Sequence, residues 1–286
     1  MTARVWIDGQ ARASSDAHVS VFDRGFLYGD SVFETLRTYA GRPFALELHL
    51  DRLERSAERV LIPMPVSRSV LRSEVESAVE AAGYAESYVR LMLTRGQGTS
   101  LGLDPALSER PLRVLLVQPL SPLPALKYEQ GIAAITFRTQ RVGDGTQAAG
   151  AKLGNYLVAV LATHAARERG AEEALLVDAE GRLLEGATSN LFAVAAGRLV
   201  TPPEELGILS GITRAYALRA AAALGVAVDV RPLWVSELAK LDELFISSSI
   251  RELLPVVRVD EQDIGQGAPG PITQRLTTEF RRLVRA

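Results

Sequence analysis

Apolar positions recur along the chain with two periods, and the alternation between them divides it into short strands and amphipathic helices. VWIDG near the N-terminus and VSVFD at 19–23 read as strands around polar turns. Asp23-Arg24-Gly25-Phe26-Leu27-Tyr28-Gly29 reads as a tight loop presenting side chains. Residues 32–39 predict a strand, turned by Gly41-Arg42. Over 47–61 the period becomes helical. Leu50, Leu53, Ala57, Val60 and Leu61 form the expected buried stripe, and His49, Arg52 and Ser56 share another face. A second helix is predicted over 67–83, ended by glycine. Residues 87–94 alternate cleanly, with Val89, Leu91 and Leu93 on one side and Tyr88, Arg90, Met92 and Thr94 on the other. A long polar loop over 95–110 leads to a buried strand at 112–118.

Three prolines within 119–124 mark a linker, so the domains are expected as 1–119, a connection over 120–130, and 131–286. The second part opens with a strand at 132–138 and a flexible glycine-bounded lead-in at 143–150. A helix at 156–169 follows, then strands at 173–178 and 183–194 separated by the turn AEGR, with the turn AAGR after them. That meander predicts an antiparallel, barrel-like domain. A glycine-punctuated loop at 207–213 opens a helix ending at Gly225. A strand at 243–249 runs into three serines, and a helix over 271–285 follows. The fold class is α/β, in two domains.

At 47% hydrophobic and 23% charged residues the 286-residue chain reads as a globular protein. Its formal charge of -2 gives no general attraction to nucleic acid or anionic lipid. No apolar run approaches a membrane span, and MTARVWIDGQ does not read as a signal peptide, so a cytoplasmic protein is expected. There is no cysteine, and His18, His49 and His164 have no metal-ligand spacing.

Candidate chemistry centres on Lys152, one of three lysines in the chain. A lysine at a helix start is ordinarily solvated, but a desolvated one attacks carbonyls, as in a Schiff base with an aldehyde cofactor. A pyridoxal 5'-phosphate site also needs a partner for the pyridine nitrogen, an anion cradle and a donor near the ring oxygen. Glu185 suits the first. Gly211, Ile212 and Thr213 at a helix start offer backbone N–H groups for the second, with Arg52 and Ser249 completing it. Tyr156 suits the third. Arg90, on the polar side of its strand with Tyr88, suits a substrate carboxylate.

These stretches resemble the fold-type IV, class IV aminotransferase family. That family includes branched-chain aminotransferases, D-amino acid aminotransferases and aminodeoxychorismate lyases. The resemblance lies in DRGFLYGDSVFETLR, HLDRL, KLGNYL, EGATSNLF, GILSGITR and SSSIRELLPV. It implies a small N-terminal α/β domain, a larger C-terminal pseudo-barrel with the cofactor between them, and a homodimer. It implies that Lys152 is the Schiff-base lysine and proton shuttle, and that Glu185 partners the pyridine nitrogen. Arg52, Ile212, Thr213 and Ser249 are then phosphate contacts beside Gly211, Tyr156 the ring-oxygen donor, and Leu209 the residue stacked on the ring. Tyr28, Phe33, Tyr88, Arg90, Ser248 and Ile250 are assigned to the substrate. Tyr88-Val89-Arg90 is similar to the aromatic-x-Arg strand of branched-chain enzymes, which favours amino-group exchange between aliphatic α-amino acids and 2-oxo acids such as 2-oxoglutarate. An aminodeoxychorismate lyase, a D-amino acid or R-amine transaminase, and a catalytically silent relative are the alternatives.

Overall fold

The computed structural model describes residues 3–108, 110–139 and 146–285. The chain forms two compact units, one of Met1–Ser121 with Thr146–Asn155, the other of Pro122–Gly145 with Tyr156–Ala286.

The first unit contains β1 (Arg4–Ile7), β2 (Gln10–Arg12), α1 (Arg24–Tyr28), β3 (Ser31–Tyr39), β4 (Arg42–Pro43), α2 (Leu46–Arg59), α3 (Arg68–Ala82), β5 (Ser87–Thr94) and β6 (Leu112–Pro119). Its sheet runs β2-β1-β6-β5-β3-β4, antiparallel throughout. Val89, Leu91 and Leu93 of β5 lie in one core with Leu50, Leu53 and Ala57 of α2 and Leu71, Val75 and Val79 of α3. That core uses the strand face and the helix stripes that the two periods select. Ser67 caps α3 through its side chain and Gly83 ends it in the left-handed conformation.

The local pattern misleads at three places here. Residues 19–23 are not a strand, because the Asp23 carboxylate accepts the Gly25 N–H and starts α1, which closes at Gly29 with φ 67°. Leu61 is 63% exposed, since the chain leaves the helix after Arg59 and passes Leu61 at φ 57°. Along β6 only Leu115 and Val117 are buried, so it is less enclosed than its composition predicts.

The second unit contains α4 (Ala125–Gln130), β7 (Ile132–Arg138), α5 (Leu157–Glu168), β8 (Glu173–Val177), β9 (Arg182–Gly186), β10 (Asn190–Ala195), β11 (Arg198–Thr201), α6 (Ile212–Ala223), β12 (Val228–Val230), β13 (Leu233–Trp234), β14 (Glu243–Ser248), β15 (Glu252–Val259), β16 (Gln262–Asp263) and α7 (Pro271–Leu283). Its sheet runs β12-β11-β10-β14-β15-β7-β8-β9-β13, with β16 on β15. The sheet is mixed rather than antiparallel. β11–β12, β15–β7 and β7–β8 pair parallel. Helices α5 and α6 lie in the connections β7–β8 and β11–β12, as parallel neighbours require.

Two boundaries differ from the sequence expectation. The expected connection over 120–130 holds α4, and Leu123 and Tyr128 pack on the second unit's core. Residues 146–155, expected in the C-terminal domain, belong to the first unit. Backbone bonds draw them there, with Phe33 N–H donating to the Lys152 carbonyl at 3.1 Å and Gly154 N–H to the Ser31 carbonyl at 2.8 Å. Of the expected lead-in at 143–150, residues 143–145 lie outside the described residues. Among the described residues no helix is long and apolar enough to cross a membrane.

Candidate active site

In the first unit the candidate Arg52 is held by a buried carboxylate. Glu34, on β3, is wholly buried. Arg52, on α2, grips it bidentately, Nε to Oε1 and Nη2 to Oε2, both at 2.7 Å. His49, one helical turn earlier, lies 2.7 Å from Oε2 through Nδ1. Burial alone would raise the Glu34 pKa, but the Arg52 guanidinium, aided by His49, holds it well below the usual carboxylate range. Burial lowers the His49 pKa. Glu34 opposes that shift, and the charges of Arg52 and Lys152 add to it. Neutral His49 therefore keeps its proton on Nδ1, because ionised Glu34 can only accept.

Lys152 is held against this cluster by its backbone. Its N–H donates to Ser56 Oγ at 3.1 Å, and Leu153 bridges Val32 of β3. Glycine is required two residues on, since a Cβ at Gly154 would lie 2.0 Å from Ser31 Oγ. The Lys152 ammonium sits 4.5 Å from the centre of the Phe33 ring, and Arg90 Cζ lies 3.8 Å from the same centre. Lys152 and Arg90 thus both meet the Phe33 ring. Tyr88 is half-buried on β5, opposite Arg37. Tyr28 stands apart, its hydroxyl accepting from Gly102 N–H at 3.3 Å beside a cavity of about 360 Å³ lined by Phe22, Arg24, Leu27, Gln97 and Leu101.

The second unit assembles a different group. Glu185, on β9, accepts at Oε2 from Leu209 N–H and Asn190 Nδ2, both at 3.2 Å. Asn190 also donates to the Leu209 carbonyl at 2.8 Å, which ties the 207–211 loop to the strand. Gly211 is the N-cap of α6, and a Cβ there would lie 1.8 Å from Asn190 Oδ1. No side chain caps α6 and its first turn carries no acid, so the N–H groups of Ile212 and Thr213 open a helix N-terminus suited to an anion. Ser248, Ser249 and Ile250 are half-buried where β14 turns into β15. Tyr156 is the N-cap of α5 and half-buried.

The family profile described as Amino-transferase class IV matches residues 31–259, well over half the chain. The chain belongs to the class IV aminotransferases. It is 37% identical, over 97% of its length and 95% of the relative's, to a Methanocaldococcus jannaschii protein named "Putative branched-chain-amino-acid aminotransferase". It is similar to the crystal structure of the Escherichia coli branched-chain amino acid aminotransferase, with a TM-score of 0.92 at 32% identity, covering 98% of this chain and 94% of that one. It also matches the T.th. branched-chain amino acid aminotransferase with pyridoxamine 5'-phosphate, with a TM-score of 0.92 at 30% identity over 98% of this chain and 93% of that one.

The resemblance read from the motifs therefore holds for family, enzyme class and fold. This class IV aminotransferase also holds, against its candidate residues, side chains that its sequence did not single out. Glu34 lies inside DRGFLYGDSVFETLR, yet its spacing to Arg52 follows no local period. Asn190 lies five residues beyond Glu185, and only the fold turns it back onto that carboxylate.

Proposed function

We propose that this enzyme uses pyridoxal 5'-phosphate to exchange an amino group between an aliphatic, branched-chain-like α-amino acid and a 2-oxo acid such as 2-oxoglutarate. The observation that carries the reading is Lys152, anchored by its backbone to β3 and α2, with its ammonium against the Phe33 ring that Arg90 also meets. The relatives named as branched-chain aminotransferases support the substrate class, and the pyridoxamine 5'-phosphate in one of them supports the cofactor.

The residues present fit that cofactor. An uncapped helix start without an acid suits its phosphate, and a carboxylate braced by Asn190 and the Leu209 N–H suits a protonated ring nitrogen. Lys152 Nζ would attach the group. Arg52, the Ile212 and Thr213 amides beside Gly211, and Ser249 would hold its phosphate, and Glu185 its ring nitrogen. Tyr156 would face its ring oxygen and Leu209 its ring. When bound, the cofactor supplies the electron sink that makes a substrate α-proton acidic. Lys152 Nζ, released from attachment, would take that proton from the α-carbon and hand it on to a carbon of the cofactor. Arg90, with Tyr88, would bind a substrate carboxylate. Tyr28, Ser248 and Ile250 complete the proposed substrate contacts.

The enzyme is further proposed to act in the cytoplasm as a homodimer. Leu157, Val160 and Leu161 support the dimer: they share one face of α5 by their three- and four-residue spacing, each more than half exposed.

Borohydride reduction followed by proteolysis and mass spectrometry tests the attachment. The pyridoxyl tag is expected on Lys152, and Lys152→Ala is expected to lose both the tag and the visible absorption. A tag on Lys127 or Lys240 would overturn the assignment. Mixing the holoenzyme with L-leucine, D-alanine or aminodeoxychorismate then separates the chemistries. L-leucine alone is expected to bleach the visible band in a single turnover without releasing pyruvate.

A further inference from the structure

Glu173 is a buried acid to which neither the motifs nor the proposed reaction gives a role. It opens β8 at 3% exposure, and its carboxylate is fully engaged. Oε1 accepts from the N–H groups of Ala174 at 2.9 Å and Ala187 at 3.2 Å. Oε2 accepts from Ser189 Oγ at 2.8 Å and Arg251 Nη2 at 2.6 Å. Burying a carboxylate is costly unless hydrogen-bond donors converge on it, and here four do. They come from three places: β8 itself, the β9–β10 connection, and the turn between β14 and β15.

Arg251 ties the last two together. Its Nη2 also donates to Thr188 Oγ1 at 3.0 Å, in the β9–β10 connection. Its backbone N–H donates to Ser248 Oγ at 3.3 Å and its Nε to the same oxygen at 3.5 Å, so it closes its own turn. Tyr128 holds the Arg251 carbonyl from outside, donating to it at 3.1 Å. The junction has no slack. A Cβ at Gly186 would lie 2.2 Å from Ser189 Oγ and 2.9 Å from Glu173 Oε2.

One guanidinium therefore fixes the turn carrying Ser248, Ser249 and Ile250 against the connection that follows Glu185. We propose that Arg251 is a positioning residue for the substrate: latched to Glu173 and Thr188, it holds the Ser248–Ile250 turn in the shape that receives the amino acid. This rests on the reading that the turn contacts substrate. A planar fork does this work better than an ammonium, since one nitrogen serves Glu173 and Thr188 while another faces Ser248.

The test uses purified holoenzyme of the wild type, Arg251→Met, Arg251→Lys and Glu173→Gln. Single-turnover kinetics with L-leucine give the amino acid Kd and the limiting rate. Cofactor occupancy and the visible band are read on the same samples. Arg251→Met is expected to raise Kd about tenfold or more, the scale of a lost charge-assisted contact. Its limiting rate should stay within about threefold, with occupancy and band unchanged. Arg251→Lys and Glu173→Gln should each raise Kd by a smaller factor. An unchanged Kd in folded Arg251→Met overturns the proposal, as does a loss of occupancy in step with Kd, which would mark a general brace. Should Arg251→Met not fold, unchanged Kd in both remaining variants overturns it instead. Failure of the underlying reading looks different: the wild type itself would show no visible band or no reaction with the amino acid.

Discussion

Glu34 shows how one buried charge organises a side-chain cluster in the first unit. It accepts three hydrogen bonds from two residues of α2, all at 2.7 Å. Replacing it with glutamine leaves the Arg52 charge buried without its counter-ion, expected to cost roughly 3–5 kcal/mol of stability, measured by denaturant unfolding. The pH dependence follows from the two shifted groups. The Glu34 pKa is depressed, so its stabilisation is complete above the ordinary carboxylate range and is lost as pH falls through its lower folded value. The His49 pKa is also lowered, so below the ordinary imidazole value the unfolded chain takes up a proton that folded His49 refuses. Both effects make stability fall with acidification. The His49 effect begins just below neutrality, and the Glu34 effect sets in only below the carboxylate range. Glu34→Gln is expected to flatten the acid limb of the stability curve; an unchanged limb would remove Glu34 as its origin. The sequence placed His49, Arg52 and Ser56 on one helix face from spacing alone. That Glu34 is the partner of His49 and Arg52, and the Lys152 backbone that of Ser56, needed distant segments laid against α2, contacts no local period encodes.

At the scale of elements, Ala151-Lys152-Leu153-Gly154 behaves as an extra edge on β3. Its backbone bonds to Ser31 and Phe33 fix where the Lys152 side chain begins, and Gly154 is the point of closest approach. Gly154→Ala is expected to force this segment off β3 and cost about 1–3 kcal/mol, read by thermal unfolding, together with weaker cofactor retention. Ser31→Ala removes the hydroxyl that the new methyl meets, so the double variant should recover most of the loss. No recovery would place the strain elsewhere. The regular elements α3 and β5 were legible because their signals are local: a serine cap, a left-handed glycine and strict alternation. Residues 19–23 carry a similar strand-like alternation, yet Asp23 caps a short helix instead. A side chain bonding its own backbone two residues on outcompetes a weak strand preference.

For the whole molecule, the α5 face of Leu157, Val160 and Leu161 yields a direct test of assembly. Sedimentation is expected to show a dimer, and Leu161→Arg to raise its dissociation constant by about tenfold or more, as a charge set into an apolar interface does. Unchanged sedimentation of the variant would remove this face from the interface. The division into two units is likewise a property of the whole chain. Three prolines announce the first crossing near residue 121, whereas no residue pattern announces that 146–155 crosses back.

By itself the sequence determined the family, most helices and strands, and the residue types available for chemistry, because caps, periodicity and short motifs act over a few neighbouring residues. Only the tertiary structure decided that Lys152 belongs with β3 and α2, that Glu34 neutralises Arg52, and that Glu173 and Arg251 join two connections separated by about sixty residues. The first depends on backbone groups finding partners, and the other two on buried charges finding counter-ions where water is excluded. Which atoms lose water is settled when the sheets and helices pack.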